Sequence, residues 1–277
     1  MSNFIEIFGV LKDISFGGPS IATKDFYVYD YVKSVLPNQK ETLIDIPGIP
    51  GLLQLKKKFT NRTIRVFGFL ECSSHAELIT KMQDLSAFLY SDRDQQLILS
   101  DEDDRYYNAQ YLDYQEVELK VDYAIIMLEF NCNDPFGYAI IPDSEPDGSP
   151  IIPITENGYT WDITNSGQYH TYPIITITFY QSQNHIYIIN NTLGGTGFDI
   201  SKPFYLGDVL IIDSKEMLIK LNGEYSPVGF GDGGEGRAEF LILMGGVNEG
   251  VNELQIGSDD IGDIDVDVNV TFRKVYL

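Results

Sequence analysis

One stretch decides how this chain is divided: Asn131-Cys132-Asn133-Asp134-Pro135-Phe136-Gly137-Tyr138. Just before it, apolar Ile126, Leu128 and Phe130 alternate with their neighbours, which predicts a strand with one buried face. The Asp-Pro pair ends that strand, because proline has no N–H to donate and disfavours helical backbone in the preceding residue. A run rich in proline, aspartate and serine follows from Pro142 to Pro153. The pattern therefore predicts two β-rich domains joined by a hinge.

Length and composition agree with that division. A chain of 277 residues with 43% hydrophobic and 13% aromatic residues can build two cores. We expect an N-terminal domain over residues 1–140, a linker over 141–155 and a C-terminal domain over 156–277. The fold class expected is mainly β.

The charge is strongly acidic and unevenly distributed. The formal net charge is -22, of which residues 1–140 carry -8 and residues 141–277 carry -14. A surface of this kind repels nucleic-acid phosphates, so sequence-specific nucleic-acid binding is not expected. A channel through which DNA slides without sticking would tolerate it well.

Several classes of protein are disfavoured by what the sequence lacks. Cys72 and Cys132 are the only cysteines, which excludes a Cys-rich zinc site and a disulfide framework. No apolar run approaches the roughly 20 residues of a membrane span, and the N-terminus does not resemble a signal peptide. No serine or cysteine lies in a nucleophile motif, and pairs of carboxylates occur in any acidic chain. We expect a protein made in a cytosol, with no membrane insertion, cofactor, metal site or catalytic residues.

One helix is predicted, from about residue 75 to residue 90. Ser74 and Glu77 have the spacing of a capping box, in which each side chain accepts the other's free backbone N–H. Apolar residues then recur at helical spacing and predict a buried stripe. They are Leu78, Met82, Leu85 and Leu89.

The other patterns predict strands. Apolar residues from Val117 to Phe130 change parity near Ala124, which predicts one long strand with a bulge or bend. Ile44–Gly51 contains two prolines and is expected to be an extended loop. In the last strand five apolar residues alternate with polar ones, and short strands separated by Gly-rich turns predict a sandwich. The five are Ile264, Val266, Val268, Val270 and Phe272.

The order of elements in the N-terminal half is itself informative. Strands, a long irregular loop, one capped helix and a long strand precede the Asn131–Tyr138 stretch. Members of the siphophage distal tail protein (Dit) family close this domain with a polar residue, Asp, Pro and an aromatic pair. The N-terminal half resembles that family, which implies a β-sandwich or split-barrel domain with one α-helix, similar to tail-tube proteins.

The C-terminal half carries three further family motifs. Asn165-Ser166-Gly167 followed by Tyr172–Ile177 matches the opening "Asn-x-Gly … Pro-x-Ile", and Gly207–Asp213 matches a "Gly-Asp … Ile-Asp" hairpin. Gly245–Asn248 resembles a "Pro-Gly-x-Asn" turn, with glycine at position 245 where the family usually has proline. This half looks like the family's galectin-like β-sandwich.

The resemblance implies a structural virion protein at the distal end of a phage tail, assembled in the cytoplasm of a bacterial host. Its N-terminal domain would form a homohexameric ring that lets DNA pass. The ring would join the tail tube protein and the tape measure protein to the tail-tip hub or tail-associated protein and the receptor-binding proteins. No bond chemistry is implied, so an enzyme is not expected.

One basic cluster stands out in the acidic chain. Within a ring, it would suit a contact between subunits, because a heterologous interface needs complementary patches. A contact with DNA in the lumen and an ordinary solvated loop remain alternatives. The candidate interface residues are Lys56, Lys57, Lys58, Arg62 and Arg65.

An alternative function is a carbohydrate-binding module that attaches to a host cell surface through the C-terminal domain. Trp161, the only tryptophan, lies near Tyr169 and His170 in the sequence, and exposed aromatic platforms bind sugars. The simpler interpretation is a tryptophan packed in the core or at its edge.

Three aspartates raise the question of a calcium site. Asp263, Asp265 and Asp267 share one strand face, and Ca²⁺ prefers several carboxylate ligands. A straight strand lacks the curvature that wraps a cation, so the solvated face of a terminal strand is the expectation.

Overall fold

A computed structural model describes residues 10–119, 123–141, 143–145, 151–225, 240–246, 250–260 and 262–277. Its contacts divide the chain into two compact units between Ile140 and Ile141. Both units are mainly β, as predicted, and one α-helix occurs in the described residues.

The first unit is an antiparallel β structure with one helix. Its sheet has the order β1-β6-β7-β8-β5-β2, β9 pairs with β7, and β3 and β4 form a separate two-stranded sheet. A 3-10 turn at Ile21–Lys24 precedes β2. The elements are β1 (Ile14–Phe16), β2 (Phe26–Lys33), β3 (Gln39–Asp45), β4 (Leu52–Phe59), β5 (Arg62–Glu71), α1 (His75–Leu89), β6 (Gln95–Leu99), β7 (Glu102–Leu119), β8 (Tyr123–Cys132) and β9 (Gly137–Ala139).

Helix α1 covers the core as the apolar spacing predicts. Leu78, Leu85 and Leu89 are buried in the same cluster as the inward residues of β5 and β8. The cap differs from the predicted box: Ser74 Oγ accepts the Glu77 N–H at 3.3 Å, but the Glu77 carboxylate accepts the N–H of Ser73, at 2.8 Å. The acidic side chain thus reaches one residue further back than expected.

One expectation for this unit was wrong, and another was correct only in part. The long strand predicted across Ala124 is two antiparallel strands, with Leu119 of β7 opposite Ala124 of β8. The parity change marks a reversal of the chain, which local alternation cannot distinguish from a bulge. Ile44–Gly51 is a loop only in part, because Ile44 and Asp45 end β3 while residues 46–51 form the turn that leads into β4.

The second unit is a two-sheet sandwich. One sheet has the order β10-β20-β13-β16-β17-β18 with β11 also on β20, and the other has the order β12-β19-β14-β15. A 3-10 turn at Asn191–Leu193 connects β14 and β15. The elements are β10 (Asp143–Glu145), β11 (Ile152–Ile154), β12 (Tyr159–Thr164), β13 (Ile174–Phe179), β14 (Gln183–Asn190), β15 (Thr196–Phe204), β16 (Val209–Asp213), β17 (Leu218–Leu221), β18 (Glu224–Tyr225), β19 (Val251–Gly257), β20 (Val266–Phe272) and β21 (Val275–Tyr276).

One core joins the two sheets of this sandwich. Ile175 of β13 belongs to the same buried cluster as Ile188 of β14 and Leu254 of β19. The alternation predicted for the last strand is confirmed, since Ile264 and all four inward residues of β20 are at most 3% exposed. The linker expected at 141–155 is partly strand, because β10 and β11 pair with β20. Residues 142 and 146–150 of that expected linker lie outside the described residues.

Candidate functional site

The hairpin of β3 and β4, which we call the arm, is the most exposed element of the first unit. Its two strands pair with each other and with no other strand in the described part of the chain. Every residue of β3 is exposed, and so is every residue of β4 except Phe59. An isolated two-stranded hairpin is marginally stable in water. The arm therefore has the character of an element that a partner completes.

The outer end of the arm is apolar. Its large hydrophobic side chains are 43–61% exposed, whereas residues of this type are usually buried. A concentration of exposed apolar side chains marks an interaction surface. The residues are Leu43, Ile44, Ile49, Leu52, Leu53 and Leu55.

The inner part of the arm carries the predicted lysines. Lys57 lies opposite Glu41, with 3.8 Å between Nζ and Oε1. Lys56 and Lys58 point to the other face, where Lys58 lies directly opposite Lys40. Like charges opposite each other destabilise a strand pair. Lys40, Lys56 and Lys58 form no ion pair in the described residues. That face therefore presents three amines to a partner.

The two arginines of the predicted cluster lie elsewhere. Arg65 forms an ion pair with Glu129, its cross-strand neighbour, at 2.7 Å between Nε and Oε2. Arg62 is 0% exposed and points into the core. It has the parity of Ile64 and Val66, the inward residues of β5, and that alternation is the signal that sequence reasoning missed. Arg62 is therefore not part of the surface cluster in which it was predicted.

The Asn131–Tyr138 stretch supports the base of the arm. Phe136 packs edge to face on Phe59, the last residue of β4, with 5.7 Å between ring centroids. The Tyr138 hydroxyl donates to Asp134 Oδ2 at 2.6 Å, and this bond closes the turn after Asp-Pro. Gly137 packs on the Tyr107 ring, where a Cβ would lie 3.1 Å from the nearest ring carbon. The stretch thus connects the arm to the core.

Buried asparagines, which sequence reasoning missed, organise the second unit. Asn165 of the Asn-x-Gly motif is 0% exposed; its Oδ1 accepts the Gly167 N–H, and its Nδ2 donates to Tyr169 O and Leu243 O. A Cβ on Gly245 would overlap Tyr169 O, which explains why glycine suits that position in this chain. Val247 and Asn248 of the same predicted turn lie outside the described residues.

The candidate sugar contacts occupy two places. Trp161 lies on β12, stacks on Tyr159 at 6.0 Å and packs against the core, as the simpler interpretation holds. Tyr169 and His170 follow that strand with their rings 4.0 Å apart, and burial lowers the pKa of His170. The Tyr172 ring meets His170 edge to face at 5.5 Å. The three predicted residues are thus an edge tryptophan and a separate pair of adjacent, tilted rings.

The three aspartates of the suggested calcium site do not converge on one point. Asp267 Oδ2 accepts the Tyr180 hydroxyl at 2.7 Å. Within the described ranges no group of three His, Cys, Asp or Glu side chains could hold a metal ion. No helix in those ranges has the length and apolarity needed to cross a membrane.

One solved structure shares this architecture. The crystal structure of the Dit protein (gp 19.1) of phage SPP1 matches 96% of this chain and 99% of its own, at 16% identity and a TM-score of 0.74. At that identity the likeness establishes the fold. A chain of the phage p2 baseplate in its activated conformation with Sr matches at 12% identity over 95% and 98% of the two chains. Its TM-score of 0.43 is too low to establish a shared fold. No curated protein matches the sequence.

Family models identify both halves as structural parts of a phage tail. A phage tail protein RIFT-related domain matches residues 24–132, and a siphovirus-type tail component C-terminal domain matches residues 166–229. Together the two matches cover more than half of the chain. The chain belongs to the siphovirus distal tail (Dit) family. As a member of this family it is a structural component of the phage distal tail, not an enzyme, as the sequence resemblance implied.

Proposed function

We propose that the first unit forms a homohexameric ring at the distal end of the tail and that DNA passes through it. The ring joins the tail tube protein and the tape measure protein to the tail-tip hub or tail-associated protein and the receptor-binding proteins. Assembly takes place in the cytoplasm of the bacterial host, before the ring becomes part of the virion. Support comes from the family and from the fold shared with SPP1 Dit, which is described as a paradigm of hub adsorption apparatus.

The arm is the observation that carries this proposal. It leaves apolar side chains in water at its outer end. On one face of its inner part, Lys40, Lys56 and Lys58 have no carboxylate partner among the described residues. Burial of the apolar residues against a neighbour would stabilise the assembly by about 25 cal/mol for each Å² removed from water. In a closed ring each copy offers one arm and accepts one, so every arm is covered.

Charge favours another copy of the chain as the partner of the arm. The formal net charge of -22 means that any neighbouring copy presents carboxylates to approaching lysines. Complementary charges orient the two copies and exclude like-charged arrangements. Lys56, Lys57 and Lys58 therefore remain candidate interface residues. Arg65 neutralises Glu129 within its own copy, and Arg62 has no surface role.

The test is the mass of the purified protein, measured by light scattering at several concentrations in low and high salt. We expect a mass near six chains that falls in high salt, because screening weakens exposed charge pairs. Lys56→Glu/Lys58→Glu should shift the protein towards single chains at any salt concentration. Lys24→Glu/Arg93→Glu makes the same charge change elsewhere in the first unit and should keep the wild-type mass.

If both charge-reversal variants lower the mass equally, the effect does not depend on Lys56 and Lys58, and the lysines are not part of the interface. If the arm variant still forms rings but the rings retain less DNA, the lysines contact DNA in the lumen instead. If purified wild-type protein stays a single chain at every concentration, the same variants should be cross-linked within assembled tails, where the tube supplies a template.

A carbohydrate-binding role for the second unit is the second candidate. Tyr159 is 38% exposed and stacks on Trp161, and Tyr172 is equally exposed beside His170. A sugar ring could stack on either aromatic pair. Binding to an array of bacterial surface glycans tests this role. Loss of a signal on Tyr159→Ala or on Tyr172→Ala would show which pair is used, with Tyr90→Ala in the first unit as the control.

A further inference from the structure

The interior of the first unit contains a cation that has no hydrogen-bond partner in the part of the chain that the structure describes. Arg62 is 0% exposed, and its Nε, Nη1 and Nη2 atoms have no hydrogen-bond partner among the described residues. A guanidinium stays protonated in proteins and offers five N–H donors. Burying such a charge without compensation is strongly unfavourable, so the group requires a counter-charge.

Two carboxylates of this region already accept hydrogen bonds from other cations. Glu102 Oε1 and Oε2 both accept from Lys33 at 2.5 Å, and Oε2 also accepts the Tyr107 hydroxyl at 2.7 Å. Asp104 accepts two bonds from Arg105, at 2.8 and 3.1 Å. Neither acid is left to neutralise Arg62.

Two other neighbours of Arg62, the Tyr107 ring and the Cys132 thiol, carry no negative charge. The Tyr107 ring lies 5.6 Å from Cζ and offers a cation–π contact, which does not replace hydrogen-bond acceptors. Cys132 is the cross-strand neighbour of Arg62, and burial raises the pKa of its thiol to about 12 despite the nearby guanidinium. The thiol is therefore neutral at any physiological pH.

Lys33 adds to the positive potential of this region. Burial lowers the pKa of Lys33, the Glu102 bond opposes that shift, and the charge of Arg62 lowers the pKa further. Three cations (Arg62, Lys33 and Arg105) and two engaged carboxylates (Glu102 and Asp104) thus lie in the region of the Tyr107 ring. A single negative charge placed at the guanidinium would satisfy the donors of Arg62 and offset this excess.

We propose that Arg62 is the core of a buried binding site for one small inorganic anion, with chloride as the probe. The complete burial of the guanidinium favours a monatomic ion over a larger oxyanion. A bound ion would link the start of β5 to Tyr107, on which Gly137 of the Asn131–Tyr138 stretch packs. The site would thus stabilise the base of the arm. This inference is independent of the hexamer.

Thermal unfolding of the full chain tests the site. Far-UV circular dichroism monitors the unfolding in sodium chloride and in sodium gluconate at equal ionic strength. Since a ligand that binds only the folded state stabilises it, the wild-type Tm should rise by about 5–11 °C when chloride replaces gluconate at roughly 100 times Kd. Arg62→Met keeps the length and removes the charge, so its Tm should be the same in both salts. Arg65→Met on the same strand should keep the wild-type difference.

Crystals grown in bromide give a second readout that does not depend on a variant folding. We expect an anomalous bromide peak within about 3.5 Å of the Arg62 guanidinium nitrogens. No chloride dependence in the wild type, or the same dependence in Arg62→Met, would overturn the proposal. Density for water alone at that position, with no bromide peak, would also overturn it.

Discussion

Phe59 and Phe136 meet edge to face with 5.7 Å between ring centroids. The first ends the exposed arm, and the second belongs to the stretch that closes the first unit. This pair joins a hairpin with little packing of its own to the body of the domain. The arm is thereby anchored at its base while its outer end stays available to a partner.

The contributions of Phe59 and Phe136 to stability should be energetically coupled. Phe59→Ala and Phe136→Ala should each destabilise the first unit, and the double variant should be more stable than additivity predicts by about 0.5–1.5 kcal/mol. Urea unfolding of the four proteins, followed by far-UV circular dichroism, measures this coupling. Strict additivity would mean that the two rings contribute independently.

The cap of α1 should make the stability of the first unit depend on pH. Hydrogen bonds from the Ser73 hydroxyl and backbone N–H, with a further contribution from Lys81, lower the pKa of Glu77 from 4.5 to about 2. Because the folded-state pKa is depressed, the stabilisation is fully present above pH about 4.5 and is lost as the pH falls towards 2. Glu77→Gln should therefore be less stable than wild type above pH 4.5 and equal to it near pH 2.

The pH profile of the Tm, measured by far-UV circular dichroism, checks this prediction. Asp84→Asn on the same helix removes the same charge away from the cap and should not reproduce the profile. A constant difference between Glu77→Gln and wild type from pH 2 to 6 would contradict the assigned cause.

Asn252 should be essential to the second unit. It is 0% exposed; its Oδ1 accepts from Met244 N at 2.8 Å and Asn190 Nδ2 at 3.1 Å, and its Nδ2 donates to Met244 O and Gly250 O. Asn252→Leu keeps the size but leaves several buried polar groups unpaired, at a cost of roughly 2–4 kcal/mol.

Fluorescence of Trp161, the only tryptophan, follows unfolding of this unit in urea. Asn191→Leu, which removes a bond to Glu253 at 2.8 Å near the surface, is the control and should cost under about 1 kcal/mol. If the two variants lose the same free energy of unfolding, burial of the hydrogen-bond network does not explain the cost of Asn252→Leu.

The apolar end of the arm should govern association without supporting the folded chain. Leu52 and Leu53 are 61% and 50% exposed, so Leu52→Ser/Leu53→Ser should change the free energy of unfolding of a single chain by less than about 0.5 kcal/mol. The same variant should shift light scattering towards lower mass at all salt concentrations, because apolar burial is not screened. A large fall in single-chain stability would place these leucines in an intramolecular contact.

The sequence predicted the elements whose signal is local. Helix α1 follows from a cap and a periodic stripe, and β20 from five alternating apolar residues, and both lie within a residue or two of their expected bounds. The division into two β units follows from an Asp-Pro stop and a change of composition. In each case neighbouring residues carry all the information that is needed.

The candidate interface could be predicted only in part. Lys56, Lys57 and Lys58 are exposed on the arm, as a cluster of lysines in an acidic chain indicates. Arg62 was grouped with them because it is near in sequence, but the pleat of β5 turns it into the core. Alternation gives the parity of such a residue, while the face that is buried depends on what packs against the strand.

What the sequence by itself determined is therefore the class of fold, its one helix and the family to which the chain belongs. Tertiary structure alone decided that β7 and β8 are two paired strands, that β3 and β4 stand apart from the sheet, and that Asn165 and Asn252 are buried. The physical reason is that pairing and burial depend on contacts between residues far apart in the chain, which no local pattern records.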